Sequence, residues 1–209
     1  LLGLAEKQGA SIYNKPNSIK EFNEKIFALH FKKFTPKTLV TAKIDKINEF
    51  FKLHEKIVVK PLDGMGGLSI YKFDQMNEEN LNILKNMTDV EQTQIICQEF
   101  VEDIYQGDYR VLIIHGKPFS KTLARIPQEG GFKGNLAAGG KGVAKDITEF
   151  QRQLGEEIGD YLMKVGINFA GIDIIGEYLT EINITSPTCA REILDQTDMN
   201  PISEYFQGL

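Results

Sequence analysis

The stretch GIDIIGEYLTEINIT, residues 171–185, constrains the fold more than any other part of the chain. Ile172, Ile174, Ile182 and Ile184 alternate with Asp173, Glu181 and Asn183, the period-two pattern of half-buried strands. For both isoleucine sets to reach one core, the numbers of facing residues must sum to an even value. A three-residue loop at 176–178 meets that condition. It sets Asp173 directly opposite Glu181, with Asn183 one step along on the same face. Two carboxylates and an amide oxygen then converge, and the carboxylates repel unless a cation sits between them. All-oxygen ligation suits Mg²⁺, above all with phosphates completing the shell. The alternative is the solvated face of an ordinary hairpin, which leaves unexplained why no polar group there is basic.

A second feature, VVKPLDGMGG at residues 58–67, runs a β-branched strand into a glycine-rich loop. Pro61 lacks an N–H for a sheet ladder and ends the strand. A phosphate-binding P-loop needs G-x-x-x-x-G-K-[ST], but here the lysine precedes the glycines. GNLAAGGKG fails too, with Asn at 135 and Gly at 142. In the dinucleotide pattern G-x-G-x-x-G, Gly64 and Gly66 fit but position 69 is Ser. The loop also leads into LSIYKF, an alternating strand, so no helix N-terminus follows to receive a pyrophosphate. What remains is a strand–loop–strand flap whose backbone N–H groups can form an anion nest, with Lys60 adding positive charge. A tight hairpin using glycines for positive φ is the alternative.

The other segments read as helices and strands. NSIKEFNEKIFALHF reads as one helix over 17–31: Ser18 and Glu21 make a capping-box pattern, and Phe22, Ile26 and Leu29 recur at i, i+4 and i+7. KTLVT is a strand, KIDKINEFFKLH a helix with Ile44, Ile47 and Phe51 in phase, NEENLNILKNM a helix and TQIICQEFV a strand. Residues 38–101 therefore form a compact α+β unit. DYRVLIIHGKPFSKTLARI is a hairpin turning at His115–Gly116. It puts Asp108, Arg110 and Arg125 on one face, where two arginines beside a carboxylate suit an anionic substrate or a developing phosphate charge; a surface ion pair is the alternative. PQEGGFKGNLAAGGKGV has six glycines in 17 residues and reads as a long mobile loop. A long helix, ITEFQRQLGEEIGDYLMKVG, precedes the 171–185 hairpin, and a short helical tail ends the chain.

Bulk properties exclude several classes. The 209 residues are 42% apolar and 25% charged, ordinary for a soluble globular chain, and no apolar run approaches the length of a membrane span. A net charge of −5 argues against sequence-independent nucleic-acid binding, which needs a basic surface. LLGLAEKQGA has neither an initiator methionine nor a basic-then-apolar leader, so a cytoplasmic protein with residues missing upstream is expected. Cys97 and Cys189 fit no metal spacing and read as reduced, small apolar fillers. His30, His54 and His115 show no triad or metal spacing.

Together a phosphate flap, a Mg²⁺ face, paired arginines and a glycine-rich lid suggest ATP-dependent chemistry on a carboxylate. NEKIF, VVKPLDGMGGLSI, DYRVLI, LARIPQEGGFKGNLAAGG and GIDIIGEYLTEINITSPTCARE, spread over about residues 1–200, together resemble the bacterial glutathione synthetase family of ATP-grasp ligases. The resemblance implies an α+β, ATP-grasp fold in which two α+β subdomains enclose an ATP cleft. Residues 31–101 would be the lid subdomain, 102–209 the C-terminal catalytic subdomain, and 1–30 the end of an N-terminal α/β domain. It implies an ATP-dependent ligase joining γ-glutamylcysteine and glycine through an acyl phosphate. Lys25 and Lys60 would contact the ATP phosphates, and the loop holding Asp63, Gly64, Gly66 and Gly67 would cover them. Gln98, Glu99, Phe100 and Val101 would read the adenine, with Asp108 near the nucleotide. Asp173, Glu181 and Asn183 would hold Mg²⁺, or Mn²⁺ in its place. Arg110 and Arg125 would steady the substrate carboxylate and acyl phosphate, and Ser186 and Thr188 would line the peptide site. The loop at about 127–142, with Asn135, Gly139 and Gly140, would close as a lid against water. The partners implied are small molecules, with no nucleic acid or membrane, and a homo-oligomer is allowed. Two departures stand out: only the last helix or two of the N-terminal domain is expected within residues 1–30, and Lys133 and Lys141 stand where the family has arginines. Another ATP-grasp ligase, or a nucleotide-binding fragment, are the competing readings.

Overall fold

The computed structural model describes residues 1–64 and 66–209; Met65 of the glycine loop lies outside the described residues. Helices α1 (Leu2–Lys7), α2 (Pro16–Glu21) and α3 (Glu24–Phe27) come first. Next are β1 (Thr38–Thr41), α4 (Ile44–His54), β2 (Ile57–Pro61), β3 (Tyr71–Phe73), α5 (Glu78–Met87) and β4 (Ile95–Glu99). The chain continues through β5 (Asp108–Ile114), β6 (Lys117–Ile126), β7 (Lys141–Asp146), α6 (Glu149–Lys164), β8 (Phe169–Ile175), β9 (Tyr178–Asn183), α7 (Ala190–Thr197) and α8 (Pro201–Gln207). These strands form two sheets with antiparallel neighbours, one in the order β1-β4-β2-β3 and one in the order β7-β6-β5-β8-β9. No helix among the described residues is long and apolar enough to cross a membrane.

Alternation along the strands decides which face of each sheet is covered. In β2, Ile57 and Val59 point into a core with Ile47 of α4 and Leu84 of α5, closed by Phe73, Ile95 and Cys97. Val58 and Lys60 therefore face the other way, as period-two geometry demands, and line an open cleft. In β5 the odd-numbered Val111 and Ile113 join Phe27, Phe31, Leu154, Ile158 and Leu162 in a second core. The even-numbered face changes character along its length. Leu112 and Ile114 are covered by Ile193 of α7 and flanked by Tyr205 of α8, while Asp108 and Arg110 lie beyond that cover. One sheet face is thus half core and half site.

Several local expectations change. The single helix over 17–31 is two helices. Phe22 is extended (φ −100°, ψ 114°), and Asn23 caps α3 by accepting from the N–H groups of Lys25 (3.0 Å) and Ile26 (3.2 Å). Ser18 is no cap: it lies inside α2 and its hydroxyl donates to the Val165 carbonyl. A side-chain oxygen already serving the N–H groups at 25 and 26 favours a new helix start there over continuation. The buried face is consequently Phe27, Ala28 and Phe31, and Ile26 is exposed. Phe31 and Phe34, assigned above to the next unit, pack in the core of the five-stranded sheet. The tail of the glycine-rich loop is strand β7, paired to β6 from Lys121↔Asp146 to Ile126↔Lys141. Its exposed lysines suit an edge strand, where charge discourages pairing with another chain. Both cysteines are free and buried, and burial pushes the Cys97 thiol up to about 12.

Candidate active site

The β8–β9 hairpin pairs Asp173 with Glu181 and Gly171 with Asn183. The route differs from the expected one. Ile175 pairs with Tyr178 and Ile174 with Leu179, which makes the turn Gly176–Glu177 only, and a bulge at Thr180 restores the even sum. A bulge adds one residue on one strand, so a two-residue turn plus one bulge equals a three-residue turn. The Thr180 hydroxyl donates to the Asp173 carbonyl at 3.2 Å and fixes the bulge. The β5–β6 hairpin does turn at His115–Gly116, but its register slides by two residues between Val111 and Ile113. A two-residue slide keeps every side chain on its face, and it brings Arg125 directly opposite Asp108.

These registers assemble a buried knot of charge. Arg110 donates to Asp173 through Nε and through Nη2 (2.8 Å). Arg125 Nη2 lies 2.6 Å from Asp108 Oδ2 and 3.0 Å from Asp173 Oδ2. Burial alone would raise the Asp173 carboxyl, but Arg110 and Arg125 override it and hold it at about 2. At Asp108 desolvation wins over Arg125, and the carboxyl is raised. Its Oδ1 has no hydrogen-bond partner among the described residues. The side chains of Arg110, Arg125 and Asp173 are all under a tenth exposed, so the arginines are not a surface ion pair. The repulsion expected between Asp173 and Glu181 is relieved by protein cations. Asp173 has its two arginines, and Glu181 Oε1 lies 4.0 Å from Lys60 Nζ, which reaches across from the other sheet. Burial raises the Glu181 carboxyl, and Lys60 opposes that shift.

Two adjoining cavities lie between the sheets. The smaller, about 70 Å³, is lined by Lys60, Gln98, Glu99, Phe100, Val101 and Asp108, together with Phe132, Asn135 and Thr180. The larger, about 580 Å³, is lined by Lys25, Gly64, Gly66, Gly67, Arg110, Arg125, Asn135, Glu181, Asn183, Ser186 and Thr188. Most of the expected site residues are therefore brought together. Asp173 stands behind this wall rather than on it, with both carboxylate oxygens taken by guanidinium groups. Asp63 is exposed and lines neither cavity. Gly139 and Gly140 also line neither; a Cβ on Gly140 would run into the Gly134 carbonyl, so that glycine serves the loop's own folding.

The glycine-rich loop is docked rather than loose. Lys133 Nζ donates to the Gly67 carbonyl at 2.9 Å. Gly67 has φ +79°, and a Cβ there would meet Asn135 Oδ1 at 2.9 Å, so two loops from different sheets touch where only glycine fits. Asn23 was missed from the sequence. Besides capping α3 it donates to the Leu62 carbonyl at 3.1 Å, tying Lys25 to the start of the glycine loop. Lys25 is buried, 2.6 Å from Glu24 Oε1 and 3.3 Å from the Gly64 carbonyl. Phe132, also missed, meets Phe100 edge-on with centroids 6.3 Å apart.

A divalent cation fits part of the expected set. Glu181 and Asn183 offer oxygens to the larger cavity, and Mg²⁺ characteristically takes one or two protein oxygens plus substrate phosphates. Among the described residues no group of three or more His, Cys, Asp and Glu is placed to hold a metal unaided.

Two antiparallel sheets with a cleft between them are the ATP-grasp arrangement. The solved structure of the ATP-grasp ligase PsnB with a minimal precursor superposes with a TM-score of 0.70, covering 97% of this chain and 64% of that one, at 17% identity. Residues 24–198 match the model of the prokaryotic glutathione synthetase ATP-grasp domain, and the chain belongs to that family. It is 46% identical over 193 residues to glutathione synthetase of Pseudomonas aeruginosa, covering 92% of this chain and 61% of the relative. It is 45% identical over 210 residues to glutathione synthetase of Vibrio parahaemolyticus, covering all of this chain and 66% of the relative. The chain thus spans somewhat under two thirds of the length of these relatives.

Proposed function

We propose that the chain is the ATP-binding part of a carboxylate–amine ligase that joins γ-glutamylcysteine to glycine and makes glutathione. The observation that carries this reading is the convergence of Lys25, the glycine loop, Arg110, Arg125, Glu181 and Asn183 on one cavity, in a chain of this family. The sheets within residues 31–101 and 102–209 form the two sides of the cleft, Phe27, Phe31 and Phe34 pack on the five-stranded side, and the residues before them end a preceding domain. The adenine occupies the smaller cavity against Gln98–Val101, with Asp108 beside it. The phosphates reach the larger one, where Lys25 and the backbone of Gly64, Gly66 and Gly67 offset their charge, with Lys60 on the adjoining wall of the smaller cavity. Phosphoryl transfer asks a protein mainly for positioning and charge neutralisation. Arg110 and Arg125, locked by Asp108 and Asp173, present fixed N–H groups to the cysteinyl carboxylate and then to its acyl phosphate. The amine of glycine attacks that carbonyl, the C–N bond forms, the C–O bond to phosphate breaks, and the amine loses a proton. The loop at 127–142, with Asn135 on the cavity wall and Gly139 and Gly140 shaping its fold, keeps water away. Ser186 and Thr188 line the peptide end.

Glu181 and Asn183 would hold Mg²⁺, or Mn²⁺ in its place, which would neutralise phosphate charge; Asp173 could join them only by releasing its arginines. The reading describes a cytoplasmic enzyme of small molecules that needs neither nucleic acid nor membrane, and it is compatible with a homo-oligomer. The test is substrate-dependent ADP release by the full-length protein. Turnover with γ-glutamylcysteine plus glycine is expected. The PsnB likeness favours one rival, a ligase for another amino-acid or peptide pair, which predicts turnover only with other substrates. The partial coverage of the relatives favours a second, a nucleotide-binding unit that binds Mg-ATP without peptide-dependent ADP release.

A further inference from the structure

The larger cavity holds three acidic side chains, and two of them are already paired. Glu24 is bound to Lys25 at 2.6 Å, and Glu181 faces Lys60 at 4.0 Å. The third, Glu192, stands on the cavity wall in the first turn of α7. It makes no ion pair and no side-chain hydrogen bond among the described residues. Its neighbour Arg191 turns instead toward Asp195, at 3.7 Å. An acid in a helix's first turn is favoured by the helix dipole whatever its surroundings, but that preference does not supply a counter-ion. The same wall carries Arg110 and Arg125, which are already paired with Asp173 and Asp108. A cavity wall whose other charges are matched, with one carboxylate left without a counter-ion, is complementary to a cation such as a substrate ammonium.

We propose that Glu192 recognises the α-ammonium of the γ-glutamyl end of the peptide substrate, and so selects substrates that carry an amine at that end. This deepens the ligase reading and rests on it. The substrates bring two amino groups, and chemistry separates them. A carboxylate holds a bound ammonium in its protonated form. That suits the spectator ammonium of the γ-glutamyl group and would hold back the glycine amine, which must lose a proton to attack. Glu192 is thus assigned to the amine that does not react. Removing a charge-assisted hydrogen bond of this kind weakens binding by about tenfold or more.

The test measures ADP release by the full-length protein, wild type against Glu192→Gln and Glu192→Asp. The peptide substrates are γ-glutamylcysteine and glutarylcysteine, which is the same molecule without the α-ammonium. The wild type is expected to prefer γ-glutamylcysteine by about tenfold or more in kcat/KM. Glu192→Gln should erase that preference by raising the KM for γ-glutamylcysteine alone, and Glu192→Asp should restore part of it. The KM values for ATP and glycine should stay level in both variants, which also reports that they fold. Turnover by the wild type with the same preference retained in Glu192→Gln overturns the assignment of Glu192 and leaves the ligase reading intact. So does a loss that falls equally on both peptides, or on glycine. No turnover of γ-glutamylcysteine by the wild type overturns the ligase reading, and this inference with it.

Discussion

The two walls of the cleft hold their charges by different means. On the five-stranded sheet, Arg110, Arg125, Asp108 and Asp173 sit at fixed strand positions and lock one another through buried ion pairs. On the four-stranded side Lys60 and Glu99 come from strands. The rest is a glycine loop held by single contacts, from Asn23 to the Leu62 carbonyl, Lys25 to the Gly64 carbonyl and Lys133 to the Gly67 carbonyl. The first wall is rigid because breaking any pair strands a buried charge. The second can open, because each contact to it is one hydrogen bond worth about 1 kcal/mol net. The proposed ligase reaction, which fixes a reacting carboxylate yet admits and releases a nucleotide, has use for both.

Asp173→Ala should do the most damage, because it leaves Arg110 and Arg125 buried without their shared partner. A loss of about 3–5 kcal/mol in urea denaturation is expected; a loss under about 1 kcal/mol would mean that the knot is not the rigid wall. Acid exposes the same residue. Its carboxyl lies at about 2 in the fold, against about 3.9 in an unfolded chain. A depressed carboxyl stabilises the fold fully above its unfolded value and loses that contribution as pH falls through its folded value. The stability gap between wild type and Asp173→Asn should therefore be constant above about pH 4 and close toward pH 2. Gly67→Ala addresses the second wall. The positive φ and the approach of Asn135 should cost about 1–2 kcal/mol, with weaker ATP binding and unchanged acid stability of the arginine knot. The smallest effect belongs to Lys133→Met. It removes one hydrogen bond worth about 1 kcal/mol or less, so global stability should barely move while proteolysis within 127–140 speeds up. Equal proteolysis of the two proteins would argue that the loop is held elsewhere.

The same contrast explains what the sequence could tell. Pairings on the strand wall were legible because a buried face fixes parity. Asp173 opposite Glu181 followed from the isoleucines, even though a shorter turn and a bulge at Thr180 bring it about. Arg125 on the face of Asp108 survived a two-residue slide for the same reason. Which charges meet was not legible, because parity says nothing about contacts across neighbouring strands. Within the hairpin alone the two carboxylates call for a cation; in the fold β5 sets Arg110 beside Asp173. The loop wall was poorly legible. Helix propensity ran straight through Phe22 and Asn23, where a single side chain restarts the helix and ties down the glycine loop. Glycine counting hid strand β7, whose alternation is masked by lysines and a glycine.

On the proposed reading the two walls close on a nucleotide, and Glu181 and Asn183 would hold the Mg²⁺ that offsets its phosphate charge. Calorimetric titration of Mg-ATP into the full-length protein and its Glu181→Gln variant tests this most directly. The account predicts Mg²⁺-dependent ATP binding by the wild type, weakened about tenfold or more in the variant, with ATP binding in the absence of Mg²⁺ changed little. Equal Mg-ATP affinity in the two proteins would contradict it.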